Sequence, residues 1–355
     1  MTLSALYDKQ YRLECVFVNL EYLKLRQFTR SLMMVLKPTI LVSVGKLNFP
    51  EDVAAKLSDV GDVVYVSGDY SIRLPEATAV VVSSEPVNDT YLAKAPKLGI
   101  VARFGVGYDA IDVHACTRRR VYVGYTPDIL SAAVADLTWA LILGWMRRIT
   151  EGDTYTRTEW EKRQKEFPFG WELTGKTVGF LGLGRIGAEA AKRGYGFDVK
   201  MIYHDAIRRP DLEGKYGLKP VGFEDLLRES DVVSVHVPLL PSTRRMLGRN
   251  EFCKMKPSAL VVNTSRGGII DQSALAEALE QKVIAGAALD VFEEEPIPLD
   301  DKLLKMRNVV VTPHCASGTW ETRRRMAERC AENVRAYLEG RRPPFSVPEQ
   351  SGYSF

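Results

Sequence analysis

One glycine-rich loop stands out among the residues whose types and spacing could carry chemistry. Residues 182–187 read GLGRIG and lie between an apolar run and a segment with helical spacing. In that context Gly182 permits a tight turn, Gly184 lets the backbone approach a diphosphate, and Gly187 lets helix and strand pack closely. The diphosphate would lie at the positive end of the helix dipole. The loop therefore predicts a dinucleotide site; the alternative is a glycine-rich turn without a ligand.

An acidic residue follows this loop where a ribose-binding group is expected. Asp205 ends the next strand-like run, at roughly the 20-residue spacing that such carboxylates show. A carboxylate there accepts hydrogen bonds from both ribose hydroxyls of NAD and repels the 2′-phosphate of NADP. Arg208 and Arg209 are near enough in sequence to reach a phosphate, so NADP stays an alternative. In another interpretation, Asp205 is a loop carboxylate that pairs with Arg208.

Three further polar residues lie towards the C-terminus. Arg266, Glu295 and His314 each end or follow an apolar, strand-like run. Residues at the carboxyl ends of parallel strands face the crevice in which open α/β sheets bind ligands. There a guanidinium holds a carboxylate in a planar, two-pronged way. A histidine transfers protons near neutral pH, and a neighbouring carboxylate stabilises the imidazolium. These three residues are our candidate catalytic set.

Each candidate also has a plain structural interpretation. Arg266 could cap a helix or pair with a surface acid, and Glu295 lies within an acidic run that could be a solvated loop. A lone histidine is more often a structural hydrogen-bonding residue, which we expect of His114, His204 and His236. The joint occurrence of the three candidates downstream of a dinucleotide loop favours chemistry.

The elements that must position these residues alternate between strand and helix. Strand-like runs lie at residues 178–183, 199–203, 231–237, 260–263, 285–292 and 309–312, and a smaller alternation covers residues 39–125. Such alternation predicts parallel strands joined by right-handed crossovers. We therefore predict an α/β protein with two doubly wound parallel-sheet domains, a Rossmann nucleotide domain inserted in a smaller flavodoxin-like substrate domain.

The predicted domain division follows from the chain leaving the smaller domain and returning to it, near Ser131 and near His314. It comprises an N-terminal extension at 1–33, a substrate and catalytic domain at 34–131 plus 315–345, an NAD-binding domain at 132–314, and a C-terminal tail at 346–355. For the extension we favour no function over a targeting or partner-binding arm. The helix predicted at 132–146 is almost entirely apolar, so we expect it to pack between domains or subunits.

Composition excludes several classes of protein. The 355 residues are 46% hydrophobic and 26% charged, as in ordinary globular proteins. A formal net charge of +3 does not indicate a nucleic-acid binder. The longest apolar run, 137–146, falls short of the roughly 20 residues that span a bilayer. Five scattered cysteines without a CxxC pair favour a reducing compartment, so we predict a cytoplasmic protein. We expect no metal site.

Five stretches of the sequence together resemble the D-2-hydroxyacid dehydrogenase family. They are residues 102–109 (ARFGVGYD), 182–187 (GLGRIG), 263–271 (NTSRGGIID), 288–296 (ALDVFEEEP) and 312–314 (TPH). They occur in the family's order and spacing, and the resemblance covers about residues 38–340. Residues 124–128 (GYTPD) and 169–171 (FGW) look most like those of glyoxylate/hydroxypyruvate reductases.

The resemblance implies a reaction and a set of site residues. Family members reduce a 2-oxo acid, or oxidise an (R)-2-hydroxy acid, with NAD or NADP. By resemblance Arg266 binds the substrate carboxylate, His314 carries the proton, and Glu295 hydrogen-bonds His314. The implied substrate contacts are Ser84, Val106, Gly107, Arg266 and His314. The implied cofactor contacts are Gly182, Gly184, Arg185, Ile186, Gly187, Asp205, Val237, Pro238, Thr243, Thr264, Ser265 and Asp290, the last facing the nicotinamide carboxamide. The resemblance also implies a homodimer built largely by the nucleotide domain.

The alternatives to this activity are other reactions of the same superfamily and one role without catalysis. Formate dehydrogenases place a glutamine where Glu295 stands, and phosphite dehydrogenases are expected to place a lysine where Val106 stands. A phosphoglycerate dehydrogenase would need basic residues near Ser83 and Ser84, where Glu85 is found instead. An NAD-sensing scaffold like some transcriptional corepressors shares the fold and even the Arg-Glu-His set. Such a scaffold would turn over no small 2-oxo acid.

Overall fold

The structure, a computed structural model, describes residues 37–162 and 166–355. The predicted N-terminal extension, residues 1–33, lies outside the described residues. The strands are β1 (Thr39–Val42), β2 (Asp62–Tyr65), β3 (Ala77–Val82), β4 (Ile100–Arg103), β5 (Tyr122–Gly124), β6 (Thr177–Leu181), β7 (Lys200–His204), β8 (Lys219–Pro220), β9 (Val232–Val235), β10 (Leu260–Asn263), β11 (Gly286–Leu289) and β12 (Val309–Val311). They form two separate sheets, β1–β5 and β6–β12.

The first sheet has the strand order β2-β1-β3-β4-β5, and all its pairings are parallel. This is the flavodoxin-like order, in which the strand sequence reverses between β1 and β3. Both faces of the sheet are covered: Ile40 and Val42 belong to one buried cluster and Leu41 to another. Continuous apolar strands such as β1 are what a sheet buried on both faces requires.

The second sheet has the order β12-β11-β10-β9-β6-β7-β8, again with parallel pairings only. The strand sequence reverses between β6 and β9, the arrangement of a dinucleotide-binding domain. Every residue of β9 and β10 is buried, as their apolar, β-branched sequences predict. The predicted fold class, two doubly wound parallel-sheet units, is confirmed.

Helices flank both sheets. They are α1 (Gly45–Asn48), α2 (Glu51–Ala55), α3 (Asp89–Lys94), α4 (Val113–Arg118), α5 (Ser131–Met146), α6 (Ile149–Thr158), α7 (Arg185–Gly194), α8 (Pro210–Tyr216), α9 (Phe223–Glu229), α10 (Arg249–Phe252), α11 (Gln272–Glu280) and α12 (Trp320–Leu338). Asn88, Asp112, Asp271 and Thr319 cap the N-termini of α3, α4, α11 and α12 with their side chains. Among the described residues, no helix is both long and apolar enough to cross a membrane.

Two helices mark where the chain passes between the sheets. We call the first sheet with α1–α4 and α12 the first lobe, and the second sheet with α7–α11 the second lobe. Helix α5 packs between them, since Val134 belongs to the core of the first lobe and Trp139 to that of the second. Helix α12 follows β12 and returns to the first lobe, where Cys330 and Val334 are fully buried. The exact domain boundaries expected from the sequence stay a prediction.

The C-terminal segment packs against the edge of the first sheet. Val347 donates its amide to the carbonyl of Val123 at 2.9 Å. Gln350 is fully buried, and its side-chain oxygen accepts the amide of Val123 at 2.8 Å. These bonds extend the ladder beyond β5 and protect an otherwise open sheet edge.

Candidate active site

The glycine loop joins β6 to α7 with the geometry of a diphosphate cradle. Gly182 adopts a φ of +93°, and a Cβ there would lie 2.8 Å from the backbone nitrogen of Val237. A Cβ at Gly187 would lie 2.4 Å from the carbonyl oxygen of Gly182, so only glycine lets helix and strand approach this closely. A Cβ at Gly184, by contrast, would meet nothing within 4 Å. The open space lies at a helix N-terminus, so the residues fit a bound dinucleotide.

The two residues between the second and third glycines face the first lobe. Arg185 pairs with Asp128 at 2.8 Å, and both side chains are well exposed. Ile186 packs against the buried cluster of the first lobe. The start of α7 therefore lies at the junction of the two lobes, where a ligand on the glycine loop is also near the first lobe.

Asp205 lies just after β7 and beside the glycine loop. Its carboxylate accepts the amide of Leu183 at 2.6 Å and that of Ile207 at 2.9 Å. The neighbouring arginines have other partners. Arg208 makes two 2.9 Å bonds to Glu213, and Arg209 bonds Asp211 through two nitrogens at 3.0 and 2.9 Å. The structure therefore does not contain the alternative ion pair between Asp205 and Arg208.

The other predicted cofactor contacts lie at the carboxyl ends of β9 and β10. Ser265 donates its hydroxyl to the carbonyl of Val237 at 2.6 Å. Thr243 donates to the carbonyl of Pro238 at 2.5 Å. The hydroxyl of Thr264 is buried, 3.0 Å from that of Thr138. These bonds fix the loops beside the glycine turn.

Asp290 is fully buried at the end of β11. Its carboxylate accepts the hydroxyl of Thr312 at 2.6 Å and the amides of Cys315 and Ala316 at 2.9 Å. These bonds hold the turn that carries His314. Contact between Asp290 and a nicotinamide carboxamide stays a prediction.

His314 and Glu295 form a hydrogen-bonded pair. The Nδ1 atom of His314 lies 2.6 Å from Oε2 of Glu295, whose other oxygen accepts the amide of Phe292 at 3.0 Å. Burial opposes ionisation of Glu295, but these two hydrogen bonds and the charge of Arg266 outweigh it and lower the pKa of the carboxyl. His314 adopts a φ of +51°, a costly conformation for a non-glycine residue. Six other non-glycine residues of the described chain share this left-handed region, so the conformation alone does not mark the site.

Arg266 connects the two lobes. Its Nε donates to Oδ1 of Asp109 in the first lobe at 2.9 Å, and its Nη1 donates to the carbonyl of Ser265 at 2.8 Å. A Cβ at Gly107 would lie 1.7 Å from its Nη2, so the guanidinium rests directly on that glycine. A Cβ at Gly267 would lie 1.9 Å from the carbonyl carbon of Phe292, so the segment that carries Arg266 packs directly on the one that carries Glu295 and, through it, His314.

The loop at residues 104–108 lies against this guanidinium. Within the described part of the chain, the amides of Val106 and Gly107 have no hydrogen-bond partner. Ser84 is exposed on the neighbouring loop after β3. Free amides opposite an arginine form a suitable receptor for a carboxylate.

Sequence reasoning assigned no role to Asp109 or Arg103, although both lie in a stretch that resembles the family. Asp109 orients Arg266, and Arg103 bonds two carbonyls of the 104–108 loop. The sequence signal that could have identified Arg103 is an arginine at the end of an otherwise apolar strand. Two of the histidines with a predicted structural role do make hydrogen bonds: His204 to the carbonyl of Val221 and His236 to the hydroxyl of Ser234.

Known proteins resemble this chain in sequence and in fold. Residues 139–316 match the model of the D-isomer specific 2-hydroxyacid dehydrogenase NAD-binding domain. A glyoxylate reductase from Korarchaeum cryptofilum is 46% identical over 281 residues, which cover 78% of this chain and 85% of that protein. The crystal structure of an NADPH-dependent glyoxylate/hydroxypyruvate reductase from Sinorhizobium meliloti, in complex with NADP and malonate, is similar with a TM-score of 0.79 at 32% identity. That similarity covers 88% of this chain and 97% of the other.

A third similarity extends over nearly the whole of a solved structure. The glyoxylate reductase from Paecilomyes thermophila is 30% identical with a TM-score of 0.79, and the match covers 89% of this chain and 99% of that chain. The predicted resemblance is confirmed: this chain belongs to the D-isomer specific 2-hydroxyacid dehydrogenase family and is an NAD(P)-dependent oxidoreductase acting on CH–OH groups.

Proposed function

We propose that this chain reduces a short 2-oxo acid, glyoxylate or hydroxypyruvate, to the corresponding 2-hydroxy acid with NADH. One observation carries the proposal. Arg266 lies on a segment that packs against the one bearing Glu295, the partner of His314, and it faces the free amides of Val106 and Gly107. Its neighbour Ser265 bonds Val237, which packs on the glycine turn at Gly182. Several relatives and solved neighbours are named for these two substrates.

Each residue has a defined part in this reaction. Arg266 binds the substrate carboxylate together with the amides of the 104–108 loop and polarises the carbonyl. His314 engages Glu295 through Nδ1, which leaves Nε2 to donate a proton to the carbonyl oxygen. The glycine loop would hold the dinucleotide, which when bound would supply the hydride for the carbonyl carbon. Glu295 holds the imidazole in place and stabilises its protonated form.

The charge around the substrate disfavours a phosphorylated acid. Glu85 follows β3, and its carboxylate accepts the amide of Ser83 at 2.7 Å and the hydroxyl of Ser43. No cation of the described chain lies within ion-pair distance of it. A second negative group on the substrate would meet this carboxylate, so we do not favour the phosphoglycerate alternative.

For the cofactor we favour NADH over NADPH. Asp205 is the charged group expected at the ribose, and Arg208 beside it pairs with Glu213. Arg209 pairs with Asp211 and also donates to the carbonyl of Leu183 in the glycine loop at 2.9 Å. The Sinorhizobium meliloti relative is NADPH-dependent, so the local charge at Asp205 decides our choice for this chain.

We also propose a homodimer and a cytoplasmic location. Helix α5 is mostly buried within its own chain, so it argues less for a subunit interface than its sequence suggested. The segment after it exposes large apolar side chains: Ile149 and Trp160 are each 58% exposed and Phe169 is 97% exposed. Such residues in one segment favour a covering partner. Sedimentation at micromolar concentration should give twice the chain mass.

The proposed cytoplasmic location rests only on the scattered cysteines without a CxxC pair, which favour a reducing compartment.

A substrate panel tests the proposed activity. We expect the purified protein to oxidise NADH with glyoxylate and hydroxypyruvate, and to act poorly on 3-phosphohydroxypyruvate. Arg266→Ala should abolish turnover while NADH still binds. Arg249→Ala is the control, because this exposed arginine pairs with Glu277 on the second lobe, on helices away from the site. Near-normal kcat/KM in Arg266→Ala would refute the assigned role. No turnover of any small 2-oxo acid would favour the NAD-sensing scaffold.

A further inference from the structure

Two glycines of the 104–108 loop are each covered by a guanidinium. A Cβ at Gly105 would lie 2.9 Å from Cζ of Arg103, and a Cβ at Gly107 would lie 1.7 Å from Nη2 of Arg266. The loop therefore passes between two arginines, one from each lobe. Side chains larger than hydrogen at these positions would displace the cations.

Arg103 holds the loop by its carbonyls. This residue ends β4 and is only 9% exposed. Its Nε donates to the carbonyl of Gly107 at 2.8 Å, and its Nη1 donates to the carbonyl of Phe104 at 2.7 Å. Because one rigid, planar group ties both ends of the loop, the free amides between them keep a constant direction.

The charge of Arg103 has no contacting carboxylate. No acid lies within ion-pair distance of it in residues 37–162 and 166–355. Burial, and next the positive charge of Arg266, lower its pKa to about 10; the charges of Asp109 and Glu85, neither of which forms an ion pair with it, partly offset this. A buried cation without a paired anion is costly. Arg103 is thus a buried cation whose direct partners are two carbonyl oxygens, and a carboxylate bound on the loop amides would add a favourable negative charge near it.

We propose that Arg103 is a second arginine of the substrate-carboxylate receptor, acting as a positioning residue. It presents the amides of the 104–108 loop to the carboxylate and supplies buried positive charge behind them. Arg266 contacts the substrate, whereas Arg103 acts through the loop. This inference rests on the proposed function and deepens it, because it explains how the first lobe recognises the acid group that all 2-oxo acids share.

The test measures binding of oxamate, an unreactive 2-oxo acid analogue, to the enzyme–NADH complex by NADH fluorescence. We expect Arg103→Met to raise the Kd for oxamate about tenfold or more, the usual effect of losing hydrogen bonds from a charged group. The kcat/KM for glyoxylate should fall at least as much, and the Kd for NADH should stay within about twofold. Arg103→Lys should recover only part of the loss, because an ammonium cannot hold two carbonyls in one plane. Arg118→Met, an exposed arginine of the same lobe, is the control.

Urea unfolding separates this role from a purely structural one. Without oxamate, Arg103→Met should keep the wild-type midpoint, because removing an unpaired buried charge offsets the lost hydrogen bonds. With oxamate, the wild type should gain stability and the variant should gain much less. A lowered midpoint combined with an unchanged Kd for oxamate would overturn the proposal. So would complete rescue by lysine.

A variant on the loop side keeps the test decisive if Arg103→Met does not fold. In Gly105→Ala the new methyl group must displace the guanidinium of Arg103, and the φ of +159° there adds backbone strain, so a loss of oxamate binding at least as large is expected. Wild-type oxamate affinity in folded Gly105→Ala would overturn the proposal. Failure of the proposed function is a distinct result: the wild type would then bind NADH but neither oxamate nor any 2-oxo acid.

Discussion

Replacing Asp205 by serine should move the cofactor preference from NADH towards NADPH. The carboxylate lies at the end of β7 and is held by the amides of Leu183 and Ile207. Arg208 and Arg209, the nearest cations in sequence, have carboxylate partners of their own. Arg209 also donates to the carbonyl of Leu183 at 2.9 Å, so it lies beside Asp205. Because its charge is paired with Asp211, the negative charge of Asp205 is the one left to oppose a 2′-phosphate.

The size of the effect follows from charge and exposure. A 2′-phosphate group carries about −1.5 to −2 charges near neutral pH. Two unit charges about 4 Å apart repel by roughly 1 kcal/mol in water and roughly 4 kcal/mol near a protein surface. Asp205 is half-buried, so we take about 2 kcal/mol, which is about a 30-fold gain in NADPH affinity. Losing charge-assisted bonds to the ribose should weaken NADH binding about tenfold or more.

The assay is fluorescence titration of both reduced cofactors at low and high salt. Asp205→Asn separates charge from support of the loop, because its amide oxygen can still accept the Leu183 amide. It should gain NADPH affinity like the serine variant but lose less NADH affinity. Asp225→Ser, an exposed acid of the second lobe that pairs with Arg228, is the control. If the ratio of the two Kd values moves less than threefold in both Asp205 variants, another group reads the ribose. An equal shift in the control would indicate a general charge effect.

Three further outcomes follow from the geometry. In Gly107→Ala the new Cβ would lie 1.7 Å from Nη2 of Arg266, so kcat/KM should fall about 100-fold with NADH affinity retained; full activity would contradict this packing. Asp231 is partly buried, but a backbone amide and Lys256 lower its pKa. The ionised carboxylate thus stabilises the fold fully above pH 4, about the ordinary pKa of an aspartate, and this stabilisation is lost as the pH falls below that value. Asp231→Asn should cost about 1–2 kcal/mol at pH 7 and progressively less below pH 4, and a difference independent of pH would refute the reasoning. Burial lowers the pKa of His236 to about 4, so the unfolded chain takes up its proton first and stability falls from about pH 6.5 downwards. In urea unfolding between pH 5 and 7.5, the free energy of unfolding of His236→Phe should depend less on pH than that of the wild type. The same slope against pH in both proteins would contradict this assignment.

Much of the fold could be predicted because its signals are local. Apolar, β-branched runs such as 260–263 became buried strands, and helical spacing after the glycine loop became α7. Short elements without an apolar pattern, such as β8 and α6, were not predicted, since they bury few side chains and leave little periodicity in the sequence.

The candidate site was predicted less completely than the fold. Arg266, Glu295 and His314 were found because they follow strands and match a family pattern, and the structure brings them together. Their catalytic roles stay predictions. Arg103 and Asp109 were not assigned, because the importance of each comes from a contact with a loop or a residue that sequence spacing does not reveal.

The sequence by itself determined the family, the alternation of strand and helix, and the glycine turn, since these depend on neighbours within a few residues. Only the tertiary structure decided that Asp109 of one lobe holds Arg266 of the other, and that Asp290 supports the turn of His314. It also decided that Arg103 is buried without a contacting acid. The physical reason is that hydrogen bonds and charge interactions depend on distance in space, and residues 157 positions apart become neighbours only when the two lobes pack.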